Sequence, residues 1–290
     1  MNHPSNHKTL HCIMVSIVLT LYACGQQTDR KKPATTKQMD NASAVSIEEA
    51  RKIKSEAADK DRISHADMDF ETFKTSVYRE PFQGGVYLVN GDTPIANDKL
   101  LREFFEQSIK KKPAPLKDKE LIVHQVGGLD AVWNQQRKHE LKYCVSDSFG
   151  ASKNAVVTAM QAATEAWENA ADVNFTYIPG EDANCDANNT AVMFDVRPVN
   201  VNGKYYARAF FPNLARDQRH ILIDKSGLRL APGEDLTLTG ILRHELGHTL
   251  GFRHEHTRPS SGACFEDEDW RPVTDYDPFS VMHYPHCNGL

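Results

Sequence analysis

One run near the end of the chain constrains it more than any other: His244-Glu245-Leu246-Gly247-His248-Thr249-Leu250-Gly251-Phe252-Arg253-His254-Glu255. It reads H-E-x-x-H-x-x-G-x-x-H. On a helix, His244 and His248 stand one turn apart on one face and can bind one metal ion. Glu245 sits beside them, where a carboxylate can take a proton from an attacking water. Gly251 can adopt the positive φ that ends a helix and turns the chain back, and that turn brings His254 in as a third nitrogen ligand. Three histidines leave the fourth tetrahedral position of a zinc ion open, which is the arrangement of a catalytic site rather than a closed structural one. Leu242, Leu246 and Leu250 lie roughly 160° around the same helix from the histidines, so one flank can pack on a core while the other faces a cleft. Asp235 or Thr237 can cap it. The plainer reading is a polar helix whose histidines bind nothing. The glycine and third histidine at fixed spacing argue against it.

This run resembles the zinc helix of the metzincin metallopeptidases, and Gly251-Phe252-Arg253-His254-Glu255 is similar to the astacin branch. Ser280-Val281-Met282-His283-Tyr284 resembles the Met-turn that follows the zinc helix in that clan. In overall texture, from about Leu141 onward, the chain is most similar to the bacterial dual-action HEIGH metallopeptidases. The resemblance implies one catalytic Zn2+ on His244, His248 and His254, with Glu245 as the general base. It places Met282 beneath the metal and makes Tyr284 a switchable fifth ligand that also stabilises the oxyanion. Glu255 would receive a matured N-terminus. The implied substrate is a protein or peptide, held extended along an edge strand, for which Tyr205 to Phe211 or its neighbour is the nominee. Astacin-type zymogens place a pro-segment aspartate on the metal. Asn90-Gly91-Asp92 nominates Asp92 as that latency ligand, although Val89 stands where the family pattern has Phe; the alternative is a turn aspartate bonded to backbone amides. The chain ends at Leu290, and the last helix usual after the Met-turn is expected to be missing.

The chain has 290 residues and a formal net charge of -5. That length suits one medium domain plus a smaller segment, and the charge gives no case for nucleic acid as a partner. Ile13 to Ala23 is apolar but too short to span a bilayer. With Lys8 before it and Leu21-Tyr22-Ala23-Cys24-Gly25 after it, it reads as a secretory signal peptide with a lipobox-like end. Cys24 would then be lipidated, as the chain's one contact with a membrane; plain secretion and an uncleaved anchor are the alternatives. The expected location is outside the cytoplasm of a bacterium, as an outer-membrane lipoprotein or a secreted protein. Of six cysteines, Cys12 and Cys24 belong to the leader. The remaining four suit an oxidising compartment. Three pairings are open. Cys264 with Cys287 is favoured because both flank the loop from the zinc helix to the Met-turn, and Cys144 with Cys185 then follows.

In chain order, residues 25–45 read as a flexible tether, and Ser46 to Arg62 as a solvated helix. Gly84 to Val89 reads as a strand, Asn90-Gly91-Asp92 as a turn, and Lys99 to Lys111 as a helix capped by Asn97 or Asp98. Residues 46–138 form a pro-like segment, with 121–138 as the junction to a catalytic domain over 139–290. There Glu140 to Ser146 alternates as a strand, and Ser152 to Ala170 is an amphipathic helix with Trp167 in the core. Val173 to Ile178, Ala191 to Val196, Tyr205 to Phe211 and His220 to Asp224 are further strands. This order predicts an α+β fold: a mixed twisted sheet, a backing helix and the zinc-binding helix. Arg253 is expected on the surface. His256, His283 and His286 are surplus histidines, and His256 is a second choice as third ligand. Two rivals to a zinc endopeptidase stand: a surface lipoprotein that binds a partner around a structural or vestigial zinc, and a peptidase held permanently latent by its N-terminal half.

Overall fold

The main sheet has five strands in the order β7-β6-β8-β10-β9. They are β6 (Leu141–Val145), β7 (Phe175–Tyr177), β8 (Phe194–Val199), β9 (Ala207–Arg208) and β10 (His220–Asp224). Neighbours pair in parallel except β9, which runs antiparallel to β10 at one edge. All five residues of β10 are buried, as expected of a strand inside a parallel sheet. The computed structural model describes residues 68–110, 121–230, 236–257, 269–284 and 287. The expected leader with Cys24, the tether, the helix over 46–62, Cys264 and His286 lie outside the described residues. Among those described, no helix is long and apolar enough to cross a membrane.

Beneath the sheet, α3 (Lys153–Ala170) packs against α4 (Leu238–Leu250). In α3, Val156, Met160 and Ala163 recur at helical spacing and are completely buried. In α4, Leu242 and Leu246 are completely buried and Leu250 nearly so. Trp167 packs against this core, donates its indole N–H to the Arg243 carbonyl at 2.8 Å and stacks on Phe252. Thr237 is the cap: its hydroxyl accepts from the Gly240 N–H at 3.0 Å. The Cys144–Cys185 disulfide ties β6 to the loop before β8.

Two smaller sheets flank the main one. The first holds β1 (Tyr78–Arg79), β2 (Tyr87–Val89) and β3 (Thr93–Ile95), with α1 (Phe70–Ser76) and α2 (Asp98–Phe104) beside it. Asn97 caps α2 through the Leu100 N–H, and the helix runs on as a π turn over Phe105–Ile109. The strand expected over Gly84 to Val89 is thus shorter, because Gly85 closes a tight loop: a side chain there would meet the Glu80 carbonyl at 2.6 Å. Alternation along β2 serves two cores at once. Tyr87 and Val89 join Phe70, Phe73, Leu101 and Phe105, whereas Val86 and Leu88 pack on Val201 and Tyr205 near the main sheet.

The second small sheet is built in part from the 121–138 stretch read as the junction. Its β4 (Ile122–Val126) pairs with β5 (Leu129–Asp130) and with β11 (Trp270–Pro272). It also grips the chain leaving α4: the His124 N–H donates to the Gly251 carbonyl at 2.8 Å and the Arg253 N–H to the Ile122 carbonyl at 3.0 Å. Arg253, expected on the surface, is therefore 2% exposed.

Candidate metal centre and active site

Helical spacing brings His244 and His248 together, and Gly251 then reverses the chain at φ 104°. A side chain at Gly251 would also collide with the Ala131 carbonyl, so both its φ and its packing require glycine. The reversed chain, held by β4, delivers His254. His244 Nε2 lies 3.2 Å from His248 Nε2 and 3.1 Å from His254 Nε2. Asp92 completes the group: the four residues are buried, and each offers one ligand atom within 4.8 Å of the others.

The far side of each ring on α4 is held by a backbone carbonyl. His244 Nδ1 donates to the Val281 carbonyl at 2.7 Å, and His248 Nδ1 to the Phe252 carbonyl at 2.8 Å. Those bonds assign the proton to Nδ1 and leave the Nε2 lone pairs pointing inward. Lone pairs facing one another at this distance repel unless a cation sits between them. A tetrahedral zinc ion with bonds of about 2.05 Å sets its nitrogens about 3.3 Å apart, close to the separations seen. The donor set, three imidazoles and one carboxylate, also suits zinc.

The Met-turn supports the cluster from below. Met282 is completely buried, and a side chain at Gly247 would collide with its sulfur. Its carbonyl accepts from the Glu255 N–H at 2.8 Å, while the preceding carbonyl is the one that orients His244. Tyr284 donates its hydroxyl to Asp92 Oδ2 at 2.7 Å. Asp92 lies 3.1–3.2 Å from His254 Nε2 through its two oxygens and 3.4–3.5 Å from His244 and His248. Burial favours the neutral acid at Asp92, but the positive charge that His254 and His248 carry when protonated outweighs it and holds the carboxyl well below the usual range. At Glu245, burial, reinforced by the Asp92 charge, pushes the carboxyl well above it. Glu245 Oε2 is buried with no hydrogen-bond partner among the described residues. The residue lines a cleft of about 510 Å³ that runs between Tyr205–Ala207, α4 and the Met-turn and reaches Asp92.

Other expected residues fall outside the cluster. The His256 ring stacks on His254 and Tyr284, and its Nδ1 accepts from the Tyr284 N–H at 3.3 Å. It therefore backs the site rather than joining it. His283 is buried beside the Tyr276 hydroxyl at 2.9 Å. Glu255, wholly buried, accepts from the Asp277 N–H at 3.1 Å. Cys287 is disulfide-bonded, to a partner outside the described residues. Sequence reasoning missed Glu80, which is buried against Arg208. The available signal was Arg208 itself, a charge inside the apolar run Ala207-Arg208-Ala209-Phe210-Phe211, since a buried guanidinium requires a partner.

Residues 132–261 match the family model described as matrixin. A protein named zinc metalloproteinase nas-30, from Caenorhabditis elegans, is 38% identical over 64 residues, covering 16% of this chain and 9% of that protein. This chain thus spans under a tenth of the relative's length. The five-stranded mixed sheet with its helices is consistent with a metzincin-like catalytic domain.

Proposed function

We propose that the chain is a zinc-dependent endopeptidase, held latent in this form by Asp92. One observation carries the reading: three imidazole nitrogens gather with the Asp92 carboxylate within 4.8 Å of one another, and Glu245, with a buried carboxylate oxygen without a partner among the described residues, lines the same 510 Å³ cleft as His244 and Asp92. His244, His248 and His254 would hold zinc, which supplies Lewis-acid polarisation of the scissile carbonyl when bound. The backbone carbonyls of Val281 and Phe252 keep the rings in the ligating tautomer. Glu245 accepts a proton from the attacking water and passes it to the leaving amine. The Tyr284 hydroxyl donates to the oxyanion once Asp92 no longer accepts from it. Substrate lies extended beneath β9, the sheet edge that borders the cleft. In the present state Asp92 stands where the substrate carbonyl must come, so turnover requires its withdrawal.

The test is cleavage of an unfolded generic protein by the full-length Asp92→Ala chain, beside its Asp92→Ala/Glu245→Ala twin and the wild type, with zinc assayed in all three. Cleavage by the first alone, with zinc in all, is expected. Zinc in all and cleavage in none would overturn the peptidase reading in favour of a binding protein with a structural zinc, a reading that leaves the orphaned Glu245 oxygen without a purpose. The leader sequence and the Cys144–Cys185 disulfide support export, with Cys24 as the acylated residue. Mass analysis of the N-terminus of the mature protein tests that assignment. The run from Gly251 to Glu255 supports an astacin-like, HEIGH-type enzyme within the clan.

A further inference from the structure

The molecule encloses a second carboxylate of its N-terminal segment, away from the metal cluster. Glu80 follows β1, and its N–H donates to the Val86 carbonyl at 2.9 Å across the loop that Gly85 closes. Both carboxylate oxygens are doubly bonded by donors. Oε1 accepts from the Tyr205 hydroxyl at 2.6 Å and from Arg208 Nε at 2.5 Å. Oε2 accepts from Arg208 Nη2 at 2.7 Å and from the Val86 N–H at 3.1 Å. The side chains of the pair are 0% and 1% exposed.

The register of the sheet says which face this is. Arg208 pairs with Leu222 on β10, and Leu222 with Arg197 on β8, so the three share a face. Ala207, Ile221, Ile223 and Val196 line the core above the helices, which leaves Arg208 on the outer face. There His220 Nε2 lies 3.2 Å from Arg208 Nη2, and its Nδ1 3.3 Å from Arg197 Nη2. Burial first, then the charges of Arg208, Arg197 and Arg216, hold His220 well below its usual pKa and therefore neutral. Without Glu80 the site would be an enclosed guanidinium that has lost its one ion-paired carboxylate among the described residues, and such a site demands a planar anion that can accept two parallel bonds.

We propose that Arg208, Tyr205 and His220 form a carboxylate socket on the outer face of the sheet, and that Glu80, as its occupant, anchors the N-terminal segment independently of metal. The position of Glu80 gives the socket its consequence. Val86 and Leu88 seal it against Val201 and Tyr205, and β2 leads from it straight into the turn that carries Asp92. A segment tethered there keeps the Asp92 carboxylate at a high effective concentration beside the histidines. Losing the metal or the Asp92 contact leaves the segment in place. The segment detaches only when the socket is vacated.

Hydrogen exchange of the backbone amides of residues 86–89 in the full-length chain tests the socket without reference to activity. Wild type and Asp92→Ala are expected to remain protected, with zinc or with chelator. Glu80→Ala should exchange about a hundredfold faster or more in both conditions, because the buried charge has lost its partner. Added formate should restore protection in Glu80→Ala, where the same concentration of chloride does not. Protection in Glu80→Ala equal to wild type, or rescue by chloride as good as by formate, would overturn the proposal. Should Glu80→Ala fail to fold, Glu80→Asp keeps the charge and withdraws it by one methylene; protection equal to wild type there would overturn it equally. The consequence for turnover rests on the peptidase reading: Asp92→Ala/Glu80→Ala should cleave a generic substrate faster than Asp92→Ala. No cleavage by either would sink that reading alone, since the exchange measurement stands without it.

Discussion

Two acids of one short segment are buried against the same sheet-and-helix body, and they are treated oppositely. Glu80 meets a guanidinium, a hydroxyl and a backbone N–H, and both its oxygens are fully satisfied by protein. Asp92 meets one nitrogen from each of three imidazoles, two of them on rings whose other nitrogen already donates to a backbone carbonyl, and one tyrosine hydroxyl. The first contact is complete as protein; the second becomes complete around a cation. The difference teaches that burial of a carboxylate does not by itself mark a ligand. What marks it is the protonation of the facing groups: donors that bring their own hydrogens close a site, and acceptors that face inward ask for metal.

The comparison can be broken at several points. The largest effect is expected at the metal end, where Glu245→Ala in the Asp92→Ala background should lower kcat by about 10²–10⁴-fold while zinc is retained. Loss of zinc in step with activity would show that Glu245 shapes the site rather than acting in it. At the other end, Glu80→Ala should cost about 3–5 kcal/mol of unfolding free energy in urea, with zinc or without it. Asp92→Ala should cost less, and its cost should grow when zinc is present. A zinc-dependent cost at Glu80 would erase the distinction between the two acids. A smaller effect, about 1–3 kcal/mol from overpacking, is expected for Gly247→Ala, because the added methyl meets the Met282 sulfur. That displacement reaches His244 through the Val281 carbonyl, so zinc affinity should fall with stability; unchanged zinc affinity would separate the Met-turn from the metal site.

The smallest effect concerns His220, whose pKa in the folded chain is held below its ordinary value by burial and by neighbouring arginines. Below about pH 6.5 the unfolded chain takes up a proton there that the folded chain refuses. The folded state therefore loses up to about 1.4 kcal/mol per pH unit as pH falls, and keeps the full contribution above that range. His220→Gln should flatten this acid limb relative to wild type. An identical limb in both would mean that other groups set it.

Much of the fold and of the site is legible in the amino-acid order. The helices over 153–170 and 238–250 follow from apolar residues at helical spacing, and the strand over 220–224 from an unbroken buried run. Gly251 announces its positive φ because the motif needs the chain to turn back for His254. Other features are not legible there. The strand nominated over Tyr205 to Phe211 is only Ala207–Arg208, because the segment leaves the sheet at once and apolar residues beyond it serve the core. Residues 121–126 carry no pattern that tells a linker from β4, since their partners are Gly251, Arg253 and the strand at Trp270–Pro272. Arg253 reads as a surface cation because its burial depends on that same strand.

The sequence by itself determined the chemistry that is local: which atoms sit one helical turn apart, where a glycine must reverse the chain, and which side chains can ligate. Those follow from backbone periodicity and from the donor inventory of each residue, and both are read within a few positions. Only the tertiary structure brings Asp92 to the histidines and Glu80 to Arg208. Asp92 lies far along the chain from His254, and Glu80 from Arg208, and no short-range rule links them. Their pairing arises because β2 is buried on two faces at once, one in its own small core and one on the main sheet. A strand so held has one register, and that register carries both acids to their partners.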